Sequence, residues 1–120
     1  MELRLRRIGE SYIIDIIGTL DLYNSNHLMD LFQNMVDRKV KEFIVDLGKV
    51  DYIDSSGIGA LISIYSTTQQ NDLKFCIINM SEASQKVINL TRLADYFPST
   101  GNLEEAILLF STKQVAPETQ

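Results

Sequence analysis

The residues of this sequence whose types and spacing could do chemistry are concentrated in one hexapeptide, Asp54-Ser55-Ser56-Gly57-Ile58-Gly59. It follows the extended-looking run Val50-Asp51-Tyr52-Ile53 and leads into a stretch with Ile58, Leu61, Ile62 and Tyr65 on one helical stripe. It therefore stands at a strand-to-helix junction, where Asp and Ser are natural N-caps worth about 1 kcal/mol. Capping explains one such residue but not two serines in succession. Nor does it explain Gly57 and Gly59 in the first helical turn, where each glycine costs up to about 1 kcal/mol relative to Ala. With Ala60 they leave a helix start nearly free of bulk apart from Ile58. Such a bare surface lets another backbone approach closely, from the same fold or from a partner protein.

Two phosphate chemistries suit a helix start. Free amides and the helix dipole attract anions there, but a dinucleotide loop needs a longer glycine pattern and a P-loop needs a following Lys-Ser or Lys-Thr. Neither is present, and Asp54 would repel phosphate. Covalent phosphate on a serine fits better. A phosphoserine adds about −1.5 to −2 charges at a position the dipole tolerates, so the fold should survive it. The surface changes instead: a small neutral patch becomes large and anionic beside Asp54. A partner fitted to the bare patch would be expelled by bulk, desolvation and like charge.

Catalysis finds less support. His27 is the only histidine and falls at the start of the first helix, so a Ser-His-Asp arrangement would have to bring it to Ser55, and no pattern suggests an oxyanion hole. Asp15, Asp21, Asp46, Asp51 and Asp54 can be imagined around magnesium, but Asp15 lies within a strand and acidic loop ends are usually solvated. Cys76, the only cysteine, sits in the apolar run Phe75-Cys76-Ile77-Ile78 and is read as a buried structural thiol. The expectation is a protein that is not an enzyme and holds no metal or cofactor.

The elements that must position this hexapeptide follow from pattern. The 120 residues, 45% hydrophobic and 22% charged, suit one domain with a single core. Leu3 to Arg7 alternates like a strand, with Arg4, Arg6 and Arg7 on a solvated face; Gly9-Glu10 marks a turn and Tyr12 to Ile17 a second strand. Gly18-Thr19-Leu20-Asp21 ends that strand, and Asn24-Ser25-Asn26 starts a helix with Leu28, Leu31, Phe32, Met35 and Val36 on one stripe. Phe43-Ile44-Val45 and Leu73 to Ile78 read as strands buried on both faces. Ser81 caps a third helix carrying Ala83, Val87 and Leu90. Phe97-Pro98 suggests a brief extended segment, and Asn102 with Glu105 resembles a capping box opening a last helix with Leu103, Ala106, Ile107 and Phe110. The expected fold is α/β: one domain over 1–110, a mixed sheet with an N-terminal hairpin and about four helices. A polar, disordered tail is expected over 111–120. A net charge of −5 argues against nucleic acid and anionic membranes as partners. With no apolar run of about 18 residues and no secretory signal, a cytoplasmic location is expected.

Val45-Asp46-Leu47, then Ile53-Asp54-Ser55-Ser56-Gly57-Ile58-Gly59, together with the Gly18-Thr19-Leu20-Asp21 turn, resembles the STAS domain of anti-sigma factor antagonists over residues 3–110. The resemblance implies that the free protein binds an anti-sigma factor that is also a serine kinase, releasing a sigma factor. It implies Ser55 as the phosphate acceptor that turns binding off, and a PP2C-type phosphatase that removes the mark. Asp54 would orient the acceptor, Asp21 would lie on the neighbouring loop, and Ser56, Gly57, Ile58 and Gly59 would complete the partner-binding surface. Thr19 departs from the Glu often found in the family's loop. The alternative is a STAS scaffold or subunit of a sensory or transport-associated complex that keeps the fold without switching.

Overall fold

Successive apolar residues such as Ile13-Ile14, Ile44-Val45 and Cys76-Ile77 point to opposite faces of a strand, so a sheet built from them needs cover on both sides. A computed structural model describes residues 1–113 and shows how that cover is supplied. In chain order the elements are β1 (Glu2–Ile8), β2 (Ser11–Leu20), α1 (Ser25–Asp37), β3 (Glu42–Ile53), α2 (Ser55–Gln70), β4 (Lys74–Ile78), α3 (Glu82–Leu90), β5 (Ser99–Thr100) and α4 (Leu103–Lys113). The sheet runs in sequence order, β1-β2-β3-β4-β5, with β1 antiparallel to β2 and every other pair parallel. The hairpin turns at Gly9, whose φ of +59° is the left-handed region that glycine enters freely.

Crossovers of one hand that step the same way along a sheet put their helices on one face. Accordingly Leu28 and Phe32 of α1, Leu61 and Ile64 of α2 and Ile88 of α3 pack on Ile14, Ile16, Phe43, Val45, Phe75 and Ile77. The other face, Ile13, Ile44, Cys76 and Ile78, is covered by Ala106 and Phe110 of α4. Cys76 is fully buried in this second core. Past the reach of α4, that face turns polar. Asp15 and Asp46 lie side by side on β2 and β3. Arg6 from β1 grips Asp15 with two hydrogen bonds of 2.7 Å and reaches Asp46 at 3.4 Å. The hydrogen bond to Asp15 holds the Arg6 guanidinium above its ordinary pKa.

Several expected boundaries move. β2 continues through Gly18 to Leu20, and β3 is one strand of 12 residues. Register shifts at Asp15/Ile17 and Gly18/Thr19 give β3 an extra residue each time, so one residue of Leu47-Gly48, and then Asp51, are absorbed as bulges. On α3 the buried pair is Ser84 and Ile88, while Leu90 stands 75% exposed. An apolar-only pattern passes over Ser84, which is tolerated in the core because its hydroxyl bonds the Ser81 carbonyl at 3.0 Å. The cap at Asn102 accepts the Glu105 amide at 2.9 Å; Glu105 in return accepts from Gly101, one residue before the amide a capping box uses. α4 runs to Lys113, taking in the first three residues expected as tail. Residues 114–120 of that expectation lie outside the described residues.

Candidate functional site

β2 and β3 end side by side, Leu20 opposite Ile53, and the hexapeptide begins one residue later. Asp54 is the N-cap of α2, and its backbone amide donates to the Leu20 carbonyl at 3.2 Å. One carboxylate oxygen, Oδ1, accepts the Gly57 amide at 3.0 Å; the other, Oδ2, accepts the Leu22 amide at 3.3 Å. Asp54 thus ties the first turn of α2 to the loop between β2 and α1. That loop is fixed from within as well. Asp21 Oδ1 accepts the amides of Tyr23 and Asn24 at 3.0 and 3.2 Å, and the Asp21 carbonyl accepts the Ser25 amide at 2.9 Å. Asn24 makes no side-chain cap on α1; its Nδ2 instead donates to the Thr19 carbonyl at 2.8 Å. Both carboxylates are spent on backbone, so Asp21 and Asp54 shape the surface.

The serines are placed differently. Ser55 is exposed and Ser56 half-buried. Neither hydroxyl makes a hydrogen bond among the described residues, since Asp54 already supplies the cap. A nucleophilic oxygen with no competing bond therefore stands at the start of a helix that does not need it.

The two glycines also part company. A Cβ on Gly57 would lie 2.4 Å from the Leu20 carbonyl oxygen and 2.9 Å from Ile53 Cγ1. Gly57 is buried, and its bareness serves the close approach of α2 to β2. Ile58 is only 4% exposed and belongs to the core. Gly57 and Ile58, expected on the partner-binding surface, are thus placed in the protein's own interior beneath it. Gly59 has nothing within 4 Å of its missing Cβ and leaves bare surface.

The structure adds residues that pattern reading passed over. Leu22 and Tyr23, on the pinned loop, are 62% and 84% exposed, and Tyr52, three residues before Ser55, is also exposed. The only sequence signal was a pair of large apolar residues where polar loop residues are expected. The alternatives weighed for catalysis gain no geometry. His27 is exposed on α1 with no hydrogen bond to a serine or carboxylate among the described residues. Asp15 and Asp46 face Arg6, and Asp51 accepts from Thr19 at 3.2 Å. No group of three or more Asp, Glu, His or Cys among the described residues is placed to hold a metal ion. None of their helices is long and apolar enough to cross a membrane.

The pattern of the STAS domain matches residues 2–106. The chain belongs to the STAS family. Within it, an anti-sigma-B factor antagonist of Staphylococcus epidermidis is 29% identical over 84 residues, which is 70% of this chain and 78% of that protein. Among solved structures, an anti-sigma factor antagonist from Mycobacterium paratuberculosis superposes with a TM-score of 0.79 at 20% identity, covering 89% of this chain and 91% of that one. The Bacillus cell fate determinant SpoIIAA in its phosphorylated form gives 0.68 at 19% identity, covering 88% and 96%. These two likenesses establish a shared STAS fold.

Proposed function

We propose that this STAS protein is an anti-sigma factor antagonist, active when Ser55 is free and switched off when Ser55 carries phosphate. The observation that carries the reading is the exposed, unbonded Ser55 hydroxyl on a helix already capped by Asp54. In the free state the chain binds an anti-sigma factor in the cytoplasm, and the sigma factor held there is released. The anti-sigma factor acts as a serine kinase. Ser55 Oγ attacks the γ-phosphorus of a nucleoside triphosphate, the bond to the diphosphate breaks, and the hydroxyl proton passes to a base on the kinase. A PP2C-type phosphatase hydrolyses the ester and resets the switch. Asp54, Ser55, Ser56 and Gly59 form the contact surface, Asp21 holds its neighbouring loop, and Gly57 and Ile58 support it from beneath.

Because the Ser55 hydroxyl bonds nothing among the described residues, phosphate there alters the surface and leaves the fold standing. New charge of about −1.5 to −2 arrives beside the Asp54 carboxylate and is tolerated by the α2 dipole. The test is a pull-down from extract of the native cell with wild-type, Ser55→Ala and Ser55→Asp baits. The expected result is a serine kinase recovered with wild type and Ser55→Ala but not with Ser55→Asp, and phosphate incorporated into wild type alone. Recovery of one large assembly by all three baits would sink the switch in favour of a scaffold.

A further inference from the structure

We propose, resting on the Ser55 switch above, that Leu22 and Tyr23 are the apolar anchors of partner docking, seated in an apolar cleft of the partner rimmed by lysine and arginine. Both side chains stand on the loop whose Leu22 amide is held by Asp54, the residue next to Ser55. They are 62% and 84% exposed, yet the backbone beneath them is pinned by Asp21, Asn24 and Asp54. A large apolar residue on a loop with its polar groups already satisfied loses little freedom on binding, and aromatic anchors of this kind dominate interface energetics.

The charge of the same surface selects the partner's rim. Residues 8–37 and 50–73 contain no lysine or arginine. They include the β2–α1 loop, α1, the end of β3 and all of α2. Around the loop and the α2 start stand Asp21, Asp51 and Asp54, with Asp30 on α1, and none of these enters an ion pair among the described residues. The cations lie elsewhere. Arg4 and Arg6 on β1 and Lys49 on β3 line a groove with Asp15 and Asp46, on the sheet face opposite α1 and α2. An acidic surface of this kind repels nucleic acid and anionic lipid, and steers a basic protein onto its apolar centre.

The experiment uses the kinase that wild-type bait captures and Ser55→Asp does not, purified and titrated against the full chain. Leu22→Ser and Tyr23→Ser are each expected to raise Kd by about tenfold or more. Tyr23→Phe, which keeps the ring, and Leu90→Ser, which removes a still more exposed leucine elsewhere, should stay within about twofold of wild type. Raising salt from about 50 to about 500 mM should slow wild-type association by about tenfold. Full affinity in both serine variants, or association indifferent to salt, overturns this inference and leaves the Ser55 switch intact. Failure of any kinase to distinguish wild type from Ser55→Asp removes the switch itself, and the docking proposal with it.

Discussion

At the scale of single residues, Gly57 and Gly59 form a controlled comparison two positions apart on one helix. Ala at 57 drives a methyl group to within 2.4 Å of a backbone oxygen, a contact that cannot be relieved by turning a side chain. Gly57→Ala should therefore lower stability by about 1–3 kcal/mol and displace the start of α2. Ala at 59 meets open space and gains helix propensity, so Gly59→Ala should raise stability by up to about 1 kcal/mol. Thermal melts of the two variants check this; a Gly57→Ala protein as stable as wild type would mean that α2 does not press on β2. The sequence made both glycines conspicuous for the same reason, an unfavourable residue in a first helical turn. It could not separate them, because the Leu20 carbonyl that decides the matter is 37 positions away in the chain.

Elements were legible where apolar spacing was undisturbed. The stripes of α1 and α4 emerged from spacing alone, and so did the N-terminal hairpin; on α2 spacing found Ile58 and Leu61 but passed over the fully buried Ile64 in favour of the half-buried Ile62 and Tyr65. β3 was not legible as one strand, since its bulges insert an extra residue at Leu47-Gly48 and another at Asp51 into an apolar alternation, and a bulge is specified by the partner strand. The clasp of Arg6 over Asp15 and Asp46 was equally hidden: the residues are far apart in sequence, and the arginines read as a solvated face. Two carboxylates on neighbouring strands repel when both are charged, and Arg6 offsets this. Its raised pKa adds no pH dependence near neutrality. A cation whose pKa is raised on folding contributes in full below its unfolded value, which for an arginine is strongly alkaline, and loses that contribution only above it. Arg6→Ala should cost under about 1 kcal/mol, because the pair is partly solvated. The loss should be larger at low salt than at high salt, where exposed charges are screened. Urea melts at the two salt concentrations would show it; an equal loss at both would assign the effect to packing.

Across the whole molecule, the sheet separates two tasks. α1, α2 and the loop bearing Leu22 and Tyr23 belong to one face, and α4 closes the other through Ala106 and Phe110. Phe110 is 3% exposed on a small core, so Phe110→Ala should cost about 3–5 kcal/mol and lower Tm markedly. The affinity of the folded fraction for the partner should not change, because the docking face lies across the sheet. A parallel loss of affinity in calorimetric titration well below the melt would show that the faces are coupled. The family was legible from one hexapeptide in context. The docking face was not, since exposure of Leu22 and Tyr23 depends on which way a loop is tied.

The sheet ends as it begins, with strands poorly suited to recruiting a neighbour. β1 carries Arg4, Arg6 and Arg7 along its exposed length, and β5 is two residues long before the chain turns into α4. Like charges laid against a second copy of β1 would oppose strand addition, and β5 offers too short a template to nucleate it. Copies that accumulate in the cell should therefore resist stacking edge to edge into fibres, and the pool available to a partner should rise in proportion to synthesis.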